Sequence, residues 1–186
     1  MIKLIENAQM KLKSWFGASL ALGLALFGAN AAELQIDPAK IESADNISGW
    51  EIFKWVKDGT VALETVGDDK ALKLSTQADK KGLMLILKES VKCNKGATIT
   101  FVFTAKGKGI LIGGAYLFDI GGKQIRSVFG AAKNVKSEEE WSDFIDSMVI
   151  PAEVKGKAVA SIKPYIIVKP GSEVSLKSLT LKIKPN

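Results

Sequence analysis

The sequence contains no histidine and only one cysteine, Cys93. Without histidine, Ser-His-Asp and Cys-His catalysis in their usual forms are excluded, and the commonest zinc ligand is missing. A single cysteine also excludes a disulfide within the chain. Residues 91–96 around Cys93 are typical of a turn, so we expect a partly buried structural thiol there. A reactive or intermolecular thiol is the alternative.

Arginine is almost absent as well, since Arg126 is the one arginine among 26 basic residues. The 20 acidic residues leave a formal net charge of +6. Proteins that bind nucleic acids rely on arginine for bidentate contacts with bases and phosphates, whereas the lysines here are spread singly along the chain. We therefore expect a solvated, lysine-rich surface and no nucleic-acid partner.

The amino terminus has the three-part pattern of a secretory signal. Residues 1–15 carry three lysines and one glutamate, and residues 16–29 are apolar without a charge. Small residues at positions 29 and 31 then suit a signal peptidase. We predict a signal peptide over residues 1–32, cleaved after Ala31 or Ala32, with no stable membrane insertion afterwards. The apolar run is short for a membrane span, which needs about 20 residues, so a retained anchor is the less favoured alternative.

The mature part, residues 33–186, is predicted to be one all-β domain. Residues 98–104 alternate with period two, which places Ile99, Phe101 and Phe103 on one face of a strand. Further strands are predicted over residues 61–66, 71–75, 82–88, 110–119, 123–129, 141–150, 158–168 and 173–183. Residues 137–140 are the one helical candidate, and a solvated loop fits them equally well. Many strands with frequent turns indicate an antiparallel two-sheet β-sandwich.

The order of motifs along the mature chain resembles the jelly-roll β-sandwich of galactose-binding-like carbohydrate-binding modules. The motifs are Gly49-Trp50, Ala71-Leu72-Lys73-Leu74, the run 95–106, Tyr116-Leu117-Phe118-Asp119-Ile120-Gly121-Gly122, Glu140-Trp141-Ser142-Asp143-Phe144 and the run 171–181. The resemblance implies framework positions for Trp50 and Trp141, which we expect to pack in the core.

The sequence departs from the family pattern in the last strand. The family often carries two acidic residues there, whereas this chain has Leu176-Lys177-Ser178. A structural calcium site that uses those acids is therefore not supported. Asp37, Glu42, Asp45 and Asn46 offer oxygens near the start of the domain, but they match no EF-hand pattern. We predict no cofactor. Structural calcium is the open alternative, and no motif in the sequence supports it.

Sugar binding uses aromatic rings with polar groups beside them, so the aromatic residues are the candidates. Our predicted ligand contacts are Trp55, Tyr116 and Arg126. A core position for Trp55 is the alternative, because Trp55 shares a face with Phe53 if both lie on one strand. Gly113-Gly114 is expected to mark a bulge, a bend or a close backbone approach beside Tyr116. Tyr165 is expected at a sheet edge or at the rim of a site.

These features favour a non-catalytic, periplasmic or secreted protein that binds a glycan, in the envelope of a Gram-negative-like bacterium. The alternative is a structural or protein-interaction module that contacts a cell-envelope protein. Glycoside hydrolysis needs two carboxylates held at a set separation, and Asp119, Asp143 and Asp146 do not make a persuasive acid–base pair. An enzyme of unfamiliar type is a third and weaker hypothesis.

Overall fold

The structure is a computed structural model that describes residues 32–44, 47, 49–57, 59–93 and 96–186, with only the backbone described at residues 32 and 54–57. Almost all of the predicted signal peptide, residues 1–32, lies outside the described residues. Within the described part of the chain, no helix is long and apolar enough to span a membrane.

Most of the described chain is strand, as predicted, and its one helical element is a short 3-10 turn at Pro38–Lys40. In chain order the strands are β1 Ala32–Ile36, β2 Trp50–Lys57, β3 Gly59–Val66, β4 Asp69–Thr76, β5 Leu83–Leu87, β6 Val91–Lys92, β7 Ala97–Phe118, β8 Gln124–Phe129, β9 Lys133–Val135, β10 Ser142–Ile150, β11 Glu153–Val154, β12 Lys157–Ala158, β13 Ser161–Val168 and β14 Glu173–Pro185. Residues 138–140 form bends, so the helical alternative for this segment is wrong.

The strands form two antiparallel layers. The first layer has the order β10, β7, β14, β4 and β3. Strand β1 also pairs with β14, on the same side as β4 but along a different part of β14. The second layer has β8 and β9 beside β7, followed by β13, then β5 and β6, then β2. The strands β11 and β12 form a separate small hairpin.

The long strand β7 belongs to both layers. Residues 97–108 of β7 pair with β14, whereas residues 111–118 pair with β13. Near the end of the first part, Gly107 adopts a φ of +118°, a conformation that L side chains rarely adopt. The sequence predicts two separate strands here, but the chain turns from one layer into the other without leaving the sheet.

The core lies between the two layers and follows the predicted alternation. Ile99, Phe101 and Phe103 are all buried in it, as period two predicts. Trp50 is buried there too, and Cys93 is a buried free thiol, as expected of a structural cysteine. Trp141 is not in the core, so the prediction for this residue is wrong. Its ring lies on the solvent side of the first layer, half-buried beneath the ammonium groups of Lys106 and Lys177.

Gly113 and Gly114 mark a close approach rather than a bulge. A Cβ at residue 113 would lie 2.6 Å from the Phe101 ring on the core side. At residue 114, on the opposite side of the strand, a Cβ would overlap the ring of Tyr165. The two glycines therefore admit an aromatic ring to each face of the same strand.

Candidate functional site

The second layer carries a second apolar cluster on the face that points away from the core. On β13, Ile162, Ile166 and Val168 belong to the main core, while Tyr165 and Ile167 belong to this outer cluster. We call the group formed by Phe53, Tyr116, Phe129 and Tyr165, above Met84, Ile86 and Ile167, the outer aromatic face. An outer sheet face is usually solvated and polar, so this cluster needs an explanation other than folding of the core.

Tyr165 forms the floor of the outer aromatic face. Its ring lies over Gly114, and its hydroxyl donates a hydrogen bond to the carbonyl oxygen of Val128 at 3.2 Å. The prediction of a sheet-edge or rim position for Tyr165 is wrong, because β13 is central in its layer and the Tyr165 side chain is fully buried. Desolvation, together with the neighbouring phenol of Tyr116, raises the pKa of Tyr165 well above its usual range.

Tyr116 lies above this floor and is only half-buried. Its ring centroid is 4.8 Å from that of Tyr165 and 6.2 Å from that of Phe53, and both pairs are tilted. Its hydroxyl contacts the Met84 sulfur at 3.9 Å. Desolvation raises the pKa of the Tyr116 phenol, which keeps the hydroxyl protonated at neutral pH. The ring therefore offers an apolar surface and a neutral hydrogen-bonding group together.

Phe129 and polar side chains surround this pair. Phe129 is 59 % exposed, and its ring meets that of Tyr165 edge-on at 6.0 Å. Strand pairing places Ser127 on one side of Tyr116 and Lys163 on the other. The Lys163 ammonium forms an ion pair with Glu51 at 3.4 Å. Exposed rings next to a hydroxyl, an ammonium and a carboxylate are the groups that hold a polyhydroxylated ligand.

The three predicted contacts are not all brought together. Tyr116 lies within the outer aromatic face. Arg126 is exposed and pairs with Leu117, whose side chain points into the core, so Arg126 leaves β8 on the side opposite to Ser127. The backbone of Trp55 lies in β2, but its side chain is outside the described residues. Binding by these residues stays a prediction.

Sequence reasoning missed Phe53, Phe129 and Tyr165 as members of the same face. Phe53 lies on the outer side of the sheet, where its ring packs on Tyr116. The pairing of β2 with β5 shifts register between Ile52 and Lys57, so Phe53 starts an irregular part of the strand. The usable signal was on β5 and β13, where nearly continuous apolar runs predict apolar residues on both sides.

A separate polar cleft of about 540 Å³ lies on the solvent side of the first layer. Two of its lysines form ion pairs with carboxylates, Lys73 with Glu173 and Lys108 with Glu138. The hydrogen bond from Lys108 lowers the pKa of Glu138, so this carboxyl stays ionised. A general acid needs a raised pKa instead, so Glu138 is not suited to that role.

Of the residues considered for calcium, Asp37 has local partners. The carboxylate of Asp37 accepts a hydrogen bond from the backbone N–H of Ala39 and pairs with Lys40. Asp45 and Asn46 lie outside the described residues. Among the residues that are described, no group of three or more Asp, Glu, Cys or His side chains is arranged to hold a metal ion.

No protein-family model and no curated protein sequence matches the chain. The fold is similar to the CBM22-1 xylan-binding domain from Paenibacillus barcinonensis Xyn10C, with 15% identity and a TM-score of 0.56, over 86% of this chain and 99% of that domain. It is also similar to arabinose-bound MgGH51 α-L-arabinofuranosidase, with 12% identity and a TM-score of 0.53, over 82% of this chain but only 26% of the enzyme chain. The described chain therefore has the jelly-roll β-sandwich fold of carbohydrate-binding modules, as the resemblance in the sequence implied.

Proposed function

We propose that the chain is a non-catalytic, exported protein that binds a glycan on the outer aromatic face. The observation that carries this proposal is a set of partly exposed rings from three strands around the sealed ring of Tyr165. Tyr116 and Phe129 contact that ring in tilted and edge-on geometry, and Phe53 packs on Tyr116. Leaving apolar rings exposed on a solvent face is unfavourable unless a ligand or partner covers them, and pyranose rings stack on such surfaces.

Xylan is a reasonable first ligand to test because one of the similar structures is described as a xylan-binding domain. The chemistry of the face supports a neutral sugar. Lys163 and Glu51 neutralise each other beside Tyr116, so this pair adds no net charge next to the ring. Arabinose-containing oligosaccharides are the second class to test, on the basis of the arabinose-bound enzyme.

The experiment is calorimetric titration of the mature protein with xylohexaose, after a glycan array has been used to screen other sugars. We expect Tyr116→Ala and Phe129→Ala to weaken binding at least about tenfold, because each removes a stacking surface. Trp141→Ala is the matched control, since this ring lies on the other layer. Loss of binding in the control alone would move the site to the first layer, and no binding to any glycan by the folded protein would overturn the proposal.

We propose export because the amino-terminal pattern is that of a signal peptide. Cleavage after Ala31 would leave β1, which starts at Ala32, intact in the first layer. Amino-terminal sequencing of the protein from a periplasmic or culture fraction should therefore begin at residue 32 or 33. An uncleaved chain in the membrane fraction would favour the retained anchor.

The alternative, an envelope module that contacts another protein, is favoured by one observation. Ile145 and Val149 are large apolar residues exposed on β10, away from the outer aromatic face. Loss of sugar binding with retained protein association would support this second function.

A further inference from the structure

Strand β10 forms one edge of the first layer. Its one strand partner among the described residues is β7, and no backbone hydrogen bond from another described element reaches it. Half of the backbone N–H and C=O groups of this nine-residue strand therefore point away from the sheet without a backbone partner. The strand also contains no lysine and no proline, the residues that most often block an open edge.

The solvent side of β10 is apolar at two positions. Ile145 is 64 % exposed and Val149 is 69 % exposed, with the exposed Ser147 midway between them. Ile145 pairs with the half-buried Val102 on β7, which widens the apolar surface inward from the edge. Such side chains beside unpaired backbone groups make this edge a template for another strand.

We propose that two copies of this chain associate through β10, antiparallel, about a twofold axis at Ser147, so that their first layers form one continuous sheet. In this arrangement, a residue that lies a given number of positions before 147 in one copy faces the residue that lies the same number after 147 in the other copy. Ile145 of each copy lies opposite Val149 of the other, so the axis creates the same apolar pair twice. A self-complementary surface of this kind is what a twofold, isologous contact requires.

The charges on β10 select this register over its neighbour. Asp146 points into the sandwich, where it is buried and pairs with Lys133 at 3.3 Å. An axis at Asp146 would place the two buried carboxylates directly opposite each other, which is destabilising. With the axis at Ser147, Asp146 faces Met148 of the other copy and the two carboxylates are separated. An unrelated peptide strand would satisfy the backbone but would not match this symmetry.

The proposed contact is small. About seven paired residues on each copy fall well below the roughly 20–30 residues per side of a standard interface. We therefore expect a reversible dimer that forms at high protein concentration. This association is independent of sugar binding, because β10 and the outer aromatic face are on different layers.

The register is tested by disulfide capture. In Ser147→Cys, the two new thiols should meet at the axis, since Cα atoms paired across antiparallel strands are about 4.5–5.5 Å apart and disulfides span this distance. The native Cys93 is buried and should not compete. The matched control is Thr60→Cys, an exposed position on β3 at another edge of the same layer. We expect covalent dimer from Ser147→Cys and little from the control. Equal yields from both variants, or no dimer from Ser147→Cys, would overturn the proposal.

Sedimentation equilibrium tests the association without a new cysteine. We expect the wild-type protein to show a reversible monomer–dimer equilibrium, and both Ile145→Lys and Thr60→Lys to remain folded by circular dichroism. The lysine at residue 145 should weaken dimerisation at least about tenfold, whereas the lysine at residue 60 should not change it. A wild-type protein that stays monomeric at about 1 mM, or that binds only peptides of other proteins through β10, contradicts the proposal.

Discussion

At the scale of the residue, Gly114 decides whether the floor of the outer aromatic face can form. The Tyr165 ring occupies the space where a Cβ would stand, so Gly114→Ala must push the ring out of place. Overpacking of this kind costs about 1–3 kcal/mol of the free energy of unfolding. Urea denaturation should show that loss. Gly121→Ala is the control, because the nearest atom there is the Asp119 carboxylate at 3.4 Å, and it should change stability by less than about 0.5 kcal/mol.

The buried phenol of Tyr165 predicts how stability depends on alkaline pH. Burial raises its pKa in the folded protein, whereas an unfolded tyrosine loses its proton near pH 10. The unfolded chain therefore binds fewer protons above that pH, and the stability contributed by Tyr165, full below about pH 10, is lost as the pH rises. Urea denaturation from about pH 8 to pH 11 should show a steeper fall for wild type than for Tyr165→Phe. Parallel curves for the two proteins would contradict this prediction.

At the scale of the element, β7 joins the two layers through Gly107. Its φ of +118° is unfavourable for alanine, and a Cβ there would also overlap the backbone carbonyl of Glu173. We expect Gly107→Ala to lower the free energy of unfolding by about 1–3 kcal/mol or more. Far-ultraviolet circular dichroism and tryptophan fluorescence should still report one coincident transition, because both layers share this strand. The exposed neighbour provides the control: Lys108→Ala loses only a solvent-exposed ion pair and should leave the stability nearly unchanged.

Alternation and short apolar runs were enough to predict most of the longer strands and one face of the core, but not β1, β2 or β9. Residues 98–104 are the clearest case, since their apolar and polar residues separate cleanly onto two sides. The outer aromatic face was not predictable in the same way. Period two shows which residues share a side of a strand, but Tyr165 and Ile86 meet only because distant strands become neighbours in the sheet. Where both sides of a strand are apolar, as in β5, the sequence does not reveal what covers the outer one.

The path of β7 shows a second limit of the sequence. The run Lys106-Gly107-Lys108-Gly109 is typical of a break between two strands, and the sequence therefore predicts one strand before it and another after it. In the structure the strand continues, because Gly107 N–H bonds the carbonyl of Ser137 while Gly109 packs against Ser172. These partners are 30 or more residues away along the chain, so local pattern alone does not supply them.

At the scale of the whole molecule, two apolar layers stabilise the fold without a disulfide. The one cysteine, Cys93, is buried, and its backbone N–H donates to the carbonyl oxygen of Ala160 at 2.9 Å. Desolvation raises the pKa of its thiol, so little thiolate is present at neutral pH. We expect the native thiol to react with a disulfide reagent at the rate of unfolding or local opening. At urea concentrations above the unfolding transition, the Cys93 thiol should react with the reagent immediately.

The same burial predicts that the stability of the molecule does not depend on redox state. The thermal midpoint should be the same with and without a thiol reductant, because no covalent link is made or broken. Cys93→Ala should lower stability by about 1–2 kcal/mol, through the small cavity that remains between the layers. If the native thiol reacts as fast as free cysteine, or if the reductant shifts the midpoint, Cys93 is accessible and the packing of the layers around it differs from the one described.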